Sequence, residues 1–79
     1  MDWQDEWKKT EAARLCLKTG LAYTPLYSAI AQTFRAEQFD GSLRQLAEMA
    51  CGARCVRNIG QKGQQRIAHA FFVHFGIFD

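Results

Sequence analysis

Three properties of this chain predict an all-α fold, a small compact bundle of four to five helices. No tract alternates apolar and polar residues over the several positions that a half-buried strand needs. Valine, isoleucine and threonine together supply only ten of the 79 residues, so β-branched support for strands is thin. Glycine and proline punctuation divides the chain into four helical segments, with no internal repeat and no low-complexity stretch. At this length a single domain spanning residues 1–79 is expected, with an N-terminal helical pair in 1–41 and a second half in 42–79.

The first segment starts near Asp2, where Asp2, Asp5 and Glu6 suit the positive end of a helix, and ends at Gly20 after Lys18. Trp3 and Trp7 share a helical face with Leu17, while Ala12, Leu15 and Cys16 sit nearly opposite, so the segment is either wrapped on two sides or broken. The second opens with Thr24 as N-cap and Pro25 at the first helical position, where a missing N–H costs nothing. Leu26, Ala29, Ile30, Thr33 and Phe34 then make the clearest amphipathic stripe of the chain. After the turn at 39–41, Ser42 with Gln45 forms a capping-box pattern, and Leu43, Leu46, Ala47 and Ala50 line one face until Gly52. A turn-prone tract, Asn58-Ile59-Gly60-Gln61-Lys62-Gly63, precedes a last helix from about Gln64 to Phe75, which Gly76 closes, leaving Ile77 and Phe78 free to fold back.

Composition narrows the function. The longest unbroken apolar run, residues 70–73, is far below the ~20 residues of a membrane span, and acids stand where a secretion signal carries lysine or arginine. Three cysteines are too few to staple a secreted domain, which makes reduced thiols and a cytoplasmic location the expectation. The net charge of +2 hides an asymmetry. Residues 1–40 are mildly acidic, whereas no acid occurs between Glu48 and Asp79, and that window holds Arg54, Arg57, Lys62 and Arg66. A local basic surface is expected.

The glycine tract gives this surface a chemistry. Without a Cβ the backbone can approach a phosphate closely, and the first N–H groups of the next helix are unpaired and partly positive. Gly60, Lys62 and Gly63 would form the contact, Arg57 and Arg66 would flank it, and Asn58 would shape the turn or hydrogen-bond the backbone. The short helix from Ser42, the Asn58-Ile59-Gly60-Gln61-Lys62-Gly63 tract and the Gln64-Gln65-Arg66-Ile67 start of an apolar helix ending in Gly76-Ile77 together resemble the helix-hairpin-helix unit of the C-terminal domain of the RNA polymerase alpha subunit. The resemblance covers residues 42–77, under half the chain, and Arg66 stands where that family commonly carries an acid. It implies a helix-hairpin-helix-like second half, binding to DNA and a role in transcription regulation.

Other constellations carry less. Cys51, Cys55, His69 and His74 approximate the spacing of a zinc site, but the two histidines lie about 140° apart on an ideal helix. Buried thiols and ordinary helix histidines explain the four residues without a metal, and no cofactor is expected. No third group orients a Cys-His pair, and no phosphate loop or dinucleotide fingerprint is present, so the expectation is a non-enzymatic protein. The last helix is apolar nearly all round, so it is either central to a thin core or turned toward a partner. The leading function is therefore a small nucleic-acid-binding protein that holds the phosphate backbone largely without sequence preference. The alternative is a protein-interaction module or a small inhibitor of phage or plasmid type, docking onto a larger assembly through the aromatic helix, or pairing with a second copy through it.

Overall fold

A computed structural model describes residues 2–54, 56 and 58–76. It contains five α-helices: α1 (Trp3–Lys8), α2 (Glu11–Thr19), α3 (Pro25–Arg35), α4 (Leu43–Ala50) and α5 (Gln61–Phe75), with a 3-10 turn at Leu21–Tyr23 linking α2 to α3. No strand occurs among the described residues. The Cα radius of gyration, 11.6 Å, is the value expected of a well-packed chain of this length.

The first predicted segment is broken. Lys9 ends α1, and Thr10, with extended backbone, restarts the chain as the N-cap of α2: its hydroxyl accepts from the Ala13 N–H and donates to the Trp7 carbonyl. The break separates Trp7, which is buried, from Leu17, which is 52% exposed, so the face they would share on one continuous helix does not exist. Gly41 fixes the new start of α2 by accepting from the Ala12 N–H at 3.0 Å. Its φ of +80° and the Thr10 side chain packed over it leave no space for a Cβ.

Pro25 occupies the first turn of α3 as expected, but Thr24 caps by backbone geometry alone, its hydroxyl donating back to the Leu21 carbonyl. Ser42 caps α4 through the Gln45 N–H at 3.2 Å. The return half of the box is redirected, since the Gln45 side chain accepts from the Asp40 N–H and the Ser42 N–H donates to the Asp40 carboxylate. Those Ser42 groups hold the Asp40 carboxyl below the ordinary carboxylate range. On α4 the buried positions are Leu46 and Met49, while Ala47 is exposed.

The core lies where α2, α3, α4 and α5 meet, with Leu15, Cys16, Ile30, Leu46, Met49 and Ile67 sealed from solvent. A second, aromatic layer seats Trp7 of α1 against Tyr27, Phe34 and Phe39 at centroid distances of 5.7, 5.4 and 6.1 Å. The Trp7 indole donates to the Tyr27 hydroxyl at 3.0 Å, satisfying its buried N–H. α5 packs mainly on α4 and α2, and also touches the 3-10 turn. It buries Ile67 and Ala70, yet leaves Phe72, Val73 and Phe75 between 43% and 55% exposed. The last helix is thus central on one stripe and open to solvent on the rest. No helix among the described residues is long and apolar enough to cross a membrane.

Candidate nucleic-acid interface

The start of α5 is earlier than the sequence suggests. Its first turn is Gln61-Lys62-Gly63, and the first α-helical bond runs from the Gln64 N–H to the Gly60 carbonyl at 3.0 Å. Gly60 is the N-cap, Asn58 supplies the preceding turn with a left-handed φ of 72°, and no side chain caps the helix. The N–H groups of residues 61–63 therefore have no acceptor within α5. Helix formation takes over the second half of the predicted hairpin because nothing in Gln61 or Lys62 opposes it and Gly63 is welcome there for packing.

Gly60 and Gly63 have different reasons to be glycine. Gly60 is exposed, its φ of −88° suits any residue, and a Cβ would meet nothing within 4 Å. At Gly63 a Cβ would lie 3.1 Å from both Ile59 Cγ2 and Leu26 Cδ1, so that position is the close approach of α5 to the core. Gly63 is turned inward while Lys62, about 100° away around the helix, is turned out. Asn58, Lys62 and Arg66 are exposed; Arg57 lies outside the described residues.

Lys62 and Arg66 do converge. With His69 they follow the spacing i, i+4, i+7, which places all three on one exposed stripe of α5. That stripe forms one wall of an open groove of about 640 Å³, whose other wall is the end of α2, Thr19-Gly20, with Leu21 and Thr24 of the following turn. No carboxylate lines it. The Thr19 and Thr24 hydroxyls donate to the Leu15 and Leu21 carbonyls, so the side-chain donors left in the groove lining are Lys62, Arg66, His69 and the Gln65 amide. His69 is the member of this stripe that sequence reasoning passed over, although its spacing from Lys62 and Arg66 was legible.

Arg54 is elsewhere. It donates to the Gln38 carbonyl at 2.9 Å and lies 3.8 Å from the Glu48 carboxylate, in a mixed-charge groove with Glu37, Asp40 and Arg35. Adjacency in an acid-free stretch of sequence did not bring it to the α5 stripe. The described members of the zinc-like quartet, Cys51, His69 and His74, are not gathered either. His69 lines the basic groove, His74 lines another with Glu11, Arg14 and Lys18, Cys51 is exposed at the end of α4, and Cys55 lies outside the described residues. Compared with protein-family models, with curated proteins and with solved structures, the chain finds no match.

Proposed function

We propose that this protein is a small, non-enzymatic, cytoplasmic nucleic-acid-binding protein that holds the phosphate backbone along α5. The observation that carries this reading is the alignment of Lys62, Arg66 and His69 on one wall of a groove without a carboxylate in its lining. Two permanent charges, with an imidazole on the same stripe, make a track for a polyanion. The uncapped start of α5 adds partial positive charge at the Lys62 end. Such contacts position a backbone and carry little sequence information, so affinity is in the range of non-specific binding, with a dissociation constant on the order of 10⁻⁴ to 10⁻⁶ M. The resemblance of residues 42–77 to a DNA-binding helix-hairpin-helix unit supports the same reading and suggests a role in transcription.

Titrating a labelled oligonucleotide at several salt concentrations tests it. Affinity should fall steeply with salt, and the Lys62→Ala, Arg66→Ala double variant should lose at least tenfold and flatten the log–log salt slope by roughly two contacts. A double variant that binds as tightly as the parent overturns the reading.

A second reading rests on the exposure of Phe72, Val73 and Phe75, which a protein partner or a second copy would cover. On that reading one partner, insensitive to Lys62 and Arg66, would be released by Phe72→Ala and Phe75→Ala.

A further inference from the structure

We infer that the nucleic acid held by this protein is single-stranded, with phosphates along Lys62 and Arg66 and a base stacked on Phe72, an inference that rests on the backbone-binding reading above. Phe72 follows His69 by three residues, so its ring is the neighbour of His69 one turn on, at the edge of the basic stripe and about 80° round the helix from Lys62. It is 49% exposed. Its aromatic neighbours on α5 are otherwise engaged: Phe71 and Phe75 stack on each other at 6.0 Å, and Phe75 also meets His74 edge-on at 4.7 Å. Phe72 forms no ring pair among the described residues, which leaves a flat apolar face beside His69 at the far end of the stripe that Lys62 begins.

That pairing of a basic track with an open aromatic face suits a single strand. Every unpaired base offers a π-face, and stacking on it does not depend on sequence, whereas a duplex buries those faces and offers the stripe only its phosphates. The dimensions agree. Lys62 and Phe72 are ten residues apart on one helix, about 15 Å, which is the length of about four stacked nucleotides at 3.4 Å each. A second exposed ring, Tyr23 at 84%, stands on the turn whose Leu21 and Thr24 form the opposite wall of the groove.

The test uses the full chain, with fluorescence anisotropy of labelled oligothymidylate about a dozen nucleotides long against a duplex of equal length at fixed low salt. The single strand should bind about tenfold more tightly, and Phe72→Ala should remove about that factor on the single strand while leaving duplex affinity unchanged. Phe72→Trp should restore it, and circular dichroism melts establish that each variant is folded. Equal or tighter duplex binding, or single-strand affinity indifferent to Phe72→Ala, overturns the single-strand inference and leaves the backbone reading standing. Failure of both oligonucleotides to bind overturns both, and is the result expected if Phe72 docks onto a protein.

Discussion

Cys16 and Cys51 show how one residue type acquires two chemistries from its surroundings. Cys16 is sealed in the core on the buried face of α2, and burial pushes its thiol from 9.0 up to about 11, whereas Cys51 is exposed at the end of α4. Between those pH values the folded chain keeps the Cys16 proton that the unfolded chain releases, so the stabilisation is fully present below pH 9 and is lost as pH rises toward 11. The urea midpoint of the parent should therefore fall more steeply over that window than the midpoint of Cys16→Ala; equal slopes would refute the assignment. At about pH 8, peptide mapping after alkylation should find Cys51 modified in the native protein and Cys16 only after unfolding. The sequence marked the thiols as reduced, but which of them meets solvent depends on the neighbouring helices.

Element boundaries were legible wherever a local signal sets them. Pro25 at the start of α3, Ser42 as the cap of α4 and Gly76 as the left-handed end of α5 follow from their own backbone chemistry. Boundaries set by tertiary contact were not legible. Thr10 ends one helix and begins another because Gly41 comes in against it, and Gly63 sits inside α5 because Ile59 and Leu26 crowd that point. The open cap at Gly60 offers a test at this scale. Gly60→Asp should accept a first-turn N–H and stabilise the protein by about 0.5–1 kcal/mol. It should also weaken oligonucleotide binding several-fold by placing an anion beside Lys62. A higher urea midpoint with unchanged binding would mean that the start of α5 does not face the polyanion.

For the whole molecule, a thin core makes each sealed side chain count. A domain of this length has a total stability of roughly 4–12 kcal/mol, and Leu46→Ala, at a fully buried site on α4, should remove about 2–5 of it and lower the melting temperature by at least ~10 °C. Leu17→Ala, on the exposed side of α2, should change stability by no more than about 0.5 kcal/mol. Similar melts for the two variants would contradict the core described above. The sequence by itself determined the fold class and the acid-free stretch and confined the helices to four or five, because period, punctuation and charge are local properties that any packing must respect. Only the tertiary structure decided which charges act together. Lys62, Arg66 and His69 are joined by the turn of one helix, while Arg54 is drawn off to the Gln38 carbonyl and Glu48. The tertiary structure also decided which side of the phenylalanine-rich helix remains in water, because the elements packed on α5, chiefly α4 and α2, leave Phe72, Val73 and Phe75 about half exposed among the described residues.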